Sequence, residues 1–483
     1  MAAAPPPLHL VIFPYMAQGH TIPLLDISKA FAIRGLKVVI ITTPSNAPFI
    51  VSETSNHPNI SLSIIPFPRV PELPEGRDEN IADLPSMALL STSVEATKKR
   101  KQPFEGLLID MIADGHPPVC VISDFFLSWT LDSCRSFGIP RIVSHGMGAL
   151  SMAIFKSLTL LPLRTKPSSE LDPIELPILT LPFTLKKADI PEGLLDSDPN
   201  DPFARIIVET GQADINSWGV LVNSFEELEG DHVGAFESFY FNNAKAYCLG
   251  PFFLYNELIQ EVKAKKVQMQ SNSYIKWLEK QAGSDGRTVI YVSFGTQAHL
   301  SEDQLDEIAG LEMAEHPFMW VVRSRTWAAP EGWKERVKEK GLVLHDWADQ
   351  RSILSHPAIG GFLSHCGWNS MLESISMGVP LLAWPMLGVS EQELNAKFIV
   401  SGWGAGLMIP HRGDCGEKIM AVGRDVICDR VKELMGGGKG RKAREKAQAL
   451  GRMARGAVEK GGSSDMKLDQ LIDQLSNNKN GKS

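Results

Sequence analysis

A histidine and an aspartate follow two predicted buried strands, at positions where parallel sheets often carry catalytic side chains. His20 ends the loop after the apolar strand 8–13, and Asp124 ends the strand 119–123. Because ligands bind outside the carboxyl ends of parallel strands, both side chains are expected to face one crevice. A histidine there can act as a general base near neutral pH. A carboxylate on its far ring nitrogen would fix the tautomer and stabilise the imidazolium.

Both residues also have a simpler structural explanation. A histidine beside a helix start is often an ordinary hydrogen-bonded residue, and Asp124 can cap the turn that follows its strand. We expect His145, His299 and His345 to be structural histidines of that kind. The dyad hypothesis predicts instead that the side chains of His20 and Asp124 are in hydrogen-bond contact.

A second group of polar residues lies where a strand gives way to a helix. An apolar strand ends at His365, a glycine breaks the chain, and Trp368 begins a helix. A helix start presents unpaired N–H groups and the positive end of its dipole, so it attracts phosphate. Asn369 and Ser370 sit on that first turn, where their short side chains add hydrogen-bond donors.

Aromatic, amide and acidic side chains flank this predicted phosphate site. Trp347 and Gln350 lie at the end of the preceding strand, which suits a flat base stacked on the indole and an amide near a ribose. Glu391 and Gln392 follow the next strand, where a carboxylate and an amide can hold several hydroxyl groups. One crevice at the carboxyl ends of parallel strands would then bind a base, a diphosphate and a sugar.

The stretch 347–395 resembles the plant secondary-product glycosyltransferase box of the UDP-dependent family 1 glycosyltransferases. The match consists of W-x-x-Q, H-C-G-W-N-S, E-S, G-V-P, W-P, and E-Q followed by N-A-K. Asp349 stands where many members have proline, and two extra residues lie between Pro385 and Glu391. The stretches FPYMAQGHTIPLL, VISDFFLSW and YVSFGTQ extend the resemblance to nearly the whole chain.

The resemblance implies roles for individual residues of the donor site. By this resemblance, Glu373 would bind the ribose hydroxyls, His365 would contact the diphosphate and Trp368 would help to hold the sugar. A glutamine at the position of Gln392 accompanies glucose as the donor sugar in the family. Ser293 matches a residue that touches phosphate. The structural alternatives are a salt-bridged surface glutamate at Glu373 and an ordinary strand-end serine at Ser293. The predicted donor site comprises Ser293, Trp347, Ala348, Gln350, His365, Trp368, Asn369, Ser370, Glu373, Glu391 and Gln392.

The resemblance also implies a fold class, α/β of the GT-B type, with two Rossmann-like doubly wound domains facing a cleft. We expect an N-terminal acceptor-binding domain in residues 1–250, a linker in 251–272 and a C-terminal UDP-sugar-binding domain in 273–460. The final helix, in 461–483, would return to the first domain. Strands alternating with helical patterns agree with parallel sheets. The Pro-, Ser- and acid-rich residues 56–101 are predicted to form loops and short helices.

Composition excludes several other classes of protein. The chain has 483 residues, 43% of them hydrophobic, and a net charge of −8, which argues against nucleic acid as a partner. Its six cysteines form no C-x-x-C pair, which favours a reduced, cytoplasmic location without a zinc site. The apolar stretch 146–163 contains Lys156 and is predicted to be a buried helix. We expect a monomer without a membrane anchor, without metal, and without a cofactor beyond the UDP-sugar co-substrate.

The functional hypothesis is an inverting glycosyltransferase that moves glucose from UDP-glucose to a small phenolic plant metabolite such as a flavonoid. His20 would remove the acceptor proton with help from Asp124. Two alternatives stay open: formation of an aryl C-glycoside on the same fold, and a UDP-sugar-binding protein without transfer activity. The acceptor pocket is predicted to be lined by Phe13, Met16, Leu84, Phe125 and Met147.

Overall fold

Two parallel β-sheets organise the chain, and each belongs to a separate unit. The first unit comprises the chain up to Ala153, Asp196–Ile259 and the chain from Gly456 onward; the second comprises Ile154–Leu195 and Gln260–Arg455. The computed structural model describes residues 7–74, 79–81, 84, 86–163, 165–196, 198, 200–260, 273–282, 286–298, 300–386, 388, 390–413, 416–417 and 421–480.

Seven parallel strands form the sheet of the first unit, in the order β3-β2-β1-β4-β5-β6-β7. They are β1 (His9–Phe13), β2 (Lys37–Thr42), β3 (Ile60–Ile64), β4 (Cys120–Asp124), β5 (Arg141–Ser144), β6 (Gly219–Val222) and β7 (Lys245–Cys248). The central strands are buried along almost their whole length, as expected where helices cover both faces of a parallel sheet. The chain reverses its direction of winding between β1 and β4, the position at which such sheets open a ligand crevice.

The helices of the first unit follow the alternation that the sequence predicts. They are α1 (Gln18–Ile33), α2 (Ala47–Thr54), α3 (Leu90–Thr97), α4 (Lys101–Ala113), α5 (Thr130–Ser136), α6 (Ala149–Leu160), α7 (Pro202–Ile215), α8 (Glu226–Glu237) and α9 (Phe252–Gln260). The predicted buried helix in 146–163 is α6, although its second half belongs to the other unit. Among the described helices none is both long and apolar enough to span a bilayer.

Six parallel strands form the sheet of the second unit, in the order β10-β9-β8-β11-β12-β13. They are β8 (Val289–Ser293), β9 (Phe318–Val321), β10 (Gly341–Leu344), β11 (Ile359–Ser364), β12 (Leu381–Ala383) and β13 (Gly406–Met408). Here the winding reverses between β8 and β11, whose last residues, Ser293 and Ser364, are paired in register. The carboxyl ends of these two strands are therefore the expected ligand edge of the unit.

The helices of the second unit alternate with these strands along the chain. They are α10 (Ser273–Gln281), α11 (Glu302–Ala309), α12 (Trp333–Val337), α13 (Gln350–Leu354), α14 (Trp368–Ser376), α15 (Gln392–Lys397), α16 (Arg424–Gly436) and α17 (Gly438–Val458). Ser301 caps α11 by accepting the backbone N–H of Gln304. The side chain of Gln304 does not complete a capping box, because it bonds both backbone groups of Val422 instead.

The last helix of the chain, α18 (Ser463–Asn480), belongs to the first unit. Its buried leucines pack inward, and six of its polar side chains bond residues from earlier parts of the first unit. Asp469 accepts from Arg34 Nε at 2.9 Å, and Gln474 accepts from the Tyr247 hydroxyl at 2.5 Å. Ser464 donates its hydroxyl to the backbone of Gly250 at 2.6 Å.

Several predicted boundaries differ from the structure. Residues 60–64 form the strand β3 rather than a loop, and α1 begins two residues before His20. The first part of the predicted linker is the helix α9, whose apolar face is buried; its remainder, 261–272, lies outside the described residues. His299 also lies outside them. Ile154–Leu195, predicted to belong to the first domain, groups with the second unit, where Lys397 bonds Asp189 at 2.5 Å.

Candidate active site

His20 and Asp124 form a hydrogen-bonded pair in the first unit. His20 lies on the first turn of α1 rather than at the end of a loop, because His20 and Thr21 both donate their backbone N–H to Ala17. The distance from His20 Nδ1 to Asp124 Oδ2 is 2.7 Å. The histidine side chain is 22% exposed, whereas that of the aspartate is 2% exposed. A buried carboxylate thus orients a ring that solvent and ligands can reach.

The second oxygen of Asp124 has a different partner. Asp124 Oδ1 accepts the backbone N–H of Phe126 at 3.0 Å, which is the turn-capping role considered as the alternative. The aspartate therefore does both: one oxygen fixes the turn after β4, and the other fixes the imidazole. Donation of Nδ1–H to Asp124 places the ring lone pair on Nε2, where a proton acceptor is required.

Aromatic rings surround this pair. The centroid of the His20 ring lies 6.0 Å from that of Tyr15 and 5.8 Å from that of Phe126. Burial raises the pKa of Tyr15 far above its ordinary value, so its hydroxyl stays protonated, in a hydrogen bond to Ser93. Neither Tyr15 nor Phe126 was predicted from the sequence. The available signal was their position, because each stands beside a predicted pocket residue at the carboxyl end of a strand.

The predicted acceptor residues divide into two groups. Phe13, Met16 and Leu84 are buried side chains of the first unit's core and expose almost no surface. Phe125 and Met147 are half-buried and retain exposed surface. The Phe125 ring packs on that of His145 at 4.9 Å. His145 itself is a structural histidine bonded to buried Asp214, as expected.

The predicted phosphate contact, His365, occupies a tight turn between β11 and α14. Cys366, the next residue, has a positive φ of 65°, a conformation that non-glycine residues rarely adopt outside special turns. The Asn395 side chain donates to the Cys366 carbonyl at 3.0 Å and holds this turn. A Cβ atom at Gly295 or Gly367 would lie 2.6 Å from His365 Nε2, so both positions need glycine for the ring to fit. Asn395 was not among the predicted site residues.

Burial lowers the pKa of His365 to about 4, against a smaller opposing effect of the Ser293 backbone. The ring is therefore neutral near pH 7 and can offer a diphosphate one N–H donor but no positive charge. Burial also raises the pKa of the Cys366 thiol, so this cysteine stays protonated.

We expect the contribution of His365 to UDP-glucose binding to be independent of pH between 8 and 5.5. His365→Ala should weaken binding about 10- to 150-fold, the range for one lost hydrogen bond to a charged group. The ratio of wild-type to variant dissociation constants, measured by calorimetry across that range, should stay constant. A ratio that grows as the pH falls through 6.5 would show that the ring titrates normally and binds as a cation.

The first turns of α13 and α14 are joined by a network around Glu373. Asp349, which replaces the family's proline, caps α13 by accepting the backbone N–H of Ser352, so Gln350 begins a helix rather than ending a strand. Gln350 Nε2 donates to Ser370 Oγ at 3.0 Å and to Glu373 Oε2 at 2.8 Å. Arg351, which was not predicted, donates Nε to Glu373 Oε1 at 2.7 Å. The predicted ribose ligand is thus held by two side chains.

The remaining predicted donor residues differ in accessibility. Trp347 is 59% exposed, and Ala348, Asn369 and Ser370 are half-buried. Trp368 and Ser293 are buried side chains, with 2% and 7% exposed.

The pair that ends the predicted donor site lies at the start of α15. Gln392 is 4% exposed and its Oε1 accepts the backbone N–H of Met386 at 2.9 Å. Glu391 Oε1 accepts from the Asn395 side chain at 3.3 Å. Of the lengthened segment before Glu391, Leu387 and Val389 lie outside the described residues. The whole predicted donor group belongs to the second unit, and the whole predicted acceptor group belongs to the first.

Comparison with known proteins identifies the family of the chain. Residues 244–430 match the family model described as UDP-glucoronosyl and UDP-glucosyl transferase. The chain is 38% identical to UDP-glycosyltransferase 90A1 of Arabidopsis thaliana, over 97% of this chain and 96% of the relative. It is 36% identical to the scopoletin glucosyltransferase of Nicotiana tabacum, over 97% of this chain and 98% of the relative.

Two solved structures have the same fold. Glycyrrhiza uralensis UGT73P12, complexed with glycyrrhetinic acid 3-O-monoglucuronide, gives a TM-score of 0.85 at 28% identity, over 99% of this chain and 97% of the other. Phytolacca americana UGT2, complexed with UDP-2fluoro-glucose and pterostilbene, gives 0.78 at 28% identity, over 97% of this chain and 100% of the other. The chain therefore belongs to the plant family 1 glycosyltransferases, and it is a UDP-glycosyltransferase of the GT-B fold.

Proposed function

We propose that this enzyme transfers glucose from UDP-glucose to a phenolic hydroxyl of a small aromatic metabolite. The observation that carries the proposal is the 2.7 Å contact between His20 and Asp124, set among aromatic rings. His20 Nε2 takes the proton of the phenol as the oxygen attacks, and Asp124 stabilises the imidazolium that forms. The half-buried ring of Phe126 offers a flat aromatic acceptor a surface against which to pack, and the buried ring of Tyr15 supports both Phe126 and His20 from behind.

The donor is proposed to bind along the ligand edge of the second unit. Exposed Trp347 stacks on the uracil, and Glu373 accepts hydrogen bonds from the ribose hydroxyls. The N–H groups at the start of α14, with Asn369 and neutral His365, bind the diphosphate. These donors offset the charge that develops on the departing UDP, so the proposal invokes no metal ion.

The proposed reaction is a single displacement. The phenol oxygen forms a bond to the anomeric carbon while the bond from that carbon to the diphosphate breaks, and the phenolic proton passes to His20. No enzyme nucleophile intervenes, so the anomeric configuration inverts, and UDP-α-glucose gives a β-glucoside. Glu391 and Gln392 are proposed to bind the glucose hydroxyls. The tobacco relative, named for scopoletin, supports an acceptor of the phenolic class.

An acceptor screen tests this function. We expect the purified enzyme to consume UDP-glucose with flavonols, coumarins or simple phenols, and to prefer it to UDP-galactose. Mass spectrometry should show one added hexose, and the NMR coupling of the anomeric proton should identify a β-linkage. Acid hydrolysis should release the acceptor, because an O-glycoside is cleaved whereas an aryl C-glycoside is not. Binding of UDP without consumption of UDP-glucose by any phenol would contradict the proposal and favour a sugar-nucleotide-binding protein.

A further inference from the structure

We infer that Arg351 is a positioning residue for recognition of the nucleotide ribose, acting through Glu373. The inference rests on the proposed donor site, in which Glu373 binds the ribose. Arg351 lies next to the Gln of the family's W-x-x-Q motif, at a position that the motif leaves open. Its role follows from its contact with Glu373 rather than from the resemblance.

Among the described residues, each oxygen of Glu373 has one protein donor. Arg351 Nε lies 2.7 Å from Oε1, and Gln350 Nε2 lies 2.8 Å from Oε2. Adjacent helical residues point in different directions and do not usually meet at one partner. Here both residues reach the same carboxylate because each bonds a different oxygen, Arg351 bonding Oε1 and Gln350 bonding Oε2. Both contacts originate on the first turn of α13, which the Asp349 cap holds in place.

This arrangement leaves a defined set of acceptor sites on the carboxylate. An ionised carboxylate has about four lone-pair positions, two on each oxygen. The two protein donors use one position on each oxygen, so one position remains on each. Two adjacent acceptors of this kind match a vicinal diol, and the ribose 2′- and 3′-hydroxyls form such a diol. Rotation of the carboxylate would break the match.

Charge gives Arg351 a second effect on the same group. The Glu373 side chain is only 10% exposed, and that of Arg351 is 24% exposed. Burial of a carboxylate is unfavourable unless a partner compensates its charge, and the guanidinium is the charged partner bonded to Glu373 in the described part of the chain. Fully exposed ion pairs contribute little, but a charge-assisted bond to a nearly buried carboxylate is stronger and fixes orientation.

The test compares the affinities of UDP and 2′-deoxy-UDP by calorimetry. We expect the wild-type enzyme to prefer UDP about 10-fold or more, as one hydrogen bond to a charged acceptor allows. In Arg351→Met we expect UDP binding to weaken about 10-fold and 2′-deoxy-UDP binding less than about 3-fold, so that the preference largely disappears. Arg351→Lys should restore part of the preference, because it returns the charge without the guanidinium geometry.

Kinetics provide an independent readout. The KM for UDP-glucose should rise in Arg351→Met, while kcat and the acceptor KM stay within about threefold, because the lost interaction is made in ground state and transition state alike. Arg336→Met is the matched control. Arg336 forms an exposed ion pair with Glu312 in the same unit, at 2.9 Å, and touches no proposed donor residue. It should leave both nucleotide affinities unchanged.

The outcomes separate this inference from the proposed function. Equal weakening of UDP and 2′-deoxy-UDP in Arg351→Met would mean that Arg351 only supports the fold, and the inference would fall. A wild-type enzyme without ribose preference would overturn the donor role of Glu373, and with it the inference. If Glu373→Gln removes the preference but Arg351→Met keeps it, the donor site stands and Arg351 has no positioning role.

Discussion

Replacement of His20 by alanine is expected to lower kcat by about 10²- to 10⁴-fold, the usual contribution of a positioned general base. The phenol then has no group to take its proton as it attacks the anomeric carbon. UDP binding should remain within about twofold of the wild type, because the proposed nucleotide ligands belong to the second unit and His20 to the first. Steady-state kinetics with a phenol from the screen, and calorimetry with UDP, measure the two effects.

Two further variants make the His20 result specific. In Asp124→Asn the amide oxygen can still accept the Phe126 N–H, so the turn is kept, but its NH₂ group faces His20 Nδ1. The imidazole must then carry its proton on Nε2, where it cannot act as base, and kcat should fall strongly. His57→Gln, which removes a half-buried histidine near β3, should leave activity unchanged. Turnover of His20→Ala within a fewfold of wild type would exclude the dyad mechanism.

Replacement of Gly295 by alanine is expected to lower kcat/KM for UDP-glucose about 10- to 100-fold, as loss of a charge-assisted hydrogen bond would. The new Cβ would lie 2.6 Å from His365 Nε2, and the imidazole, not the backbone, is the group that can move. The methyl group would therefore displace the predicted diphosphate contact. Thermal unfolding and donor kinetics should be measured together, because Gly295 also has a φ of +72° that alanine adopts at a cost of about 1 kcal/mol or more.

Gly35→Ala is the control that measures the loss of stability caused by a positive φ alone. Gly35 has a φ of +84°, and no atom lies within 4 Å of an added Cβ. Both variants should lose stability for the same conformational reason, but only Gly295→Ala should lose donor affinity. Similar donor kinetics in the two variants would show that the close approach of Gly295 to His365 is unimportant for binding.

The central strands and the ligand edges of both sheets could be predicted from sequence. Continuous apolar runs such as residues 8–13 leave a buried parallel strand as the simplest interpretation, and the polar residues after them mark the carboxyl ends. Peripheral strands were missed for physical reasons. β3 alternates Ile and Ser within a Pro- and acid-rich region, and in β7 and β13 a lysine and a glycine shorten the apolar run.

The candidate site was predictable where chemistry depends on residue type and less so where it depends on packing. The His20–Asp124 contact followed from two strand ends and a resemblance. The start of α1 could not be predicted in the same way, because Ala17 provides no side-chain cap to mark it. Arg351 and Asn395 act through residues far along the chain, and no local pattern distinguishes such side chains from an exposed arginine or a helix-surface asparagine.

The placement of α18 has a consequence for synthesis on the ribosome. The first unit needs residues from Gly456 onward, yet roughly 200 residues of the second unit must be translated before them. At about 5–20 residues per second, this interval lasts about 10 to 40 seconds. During that time the surface that Leu468, Leu471 and Leu475 later cover is exposed to water or to chaperones. The hydrogen bond from Arg34 to Asp469 can form only after this interval. The nascent enzyme can therefore complete its first unit only after its second unit has emerged.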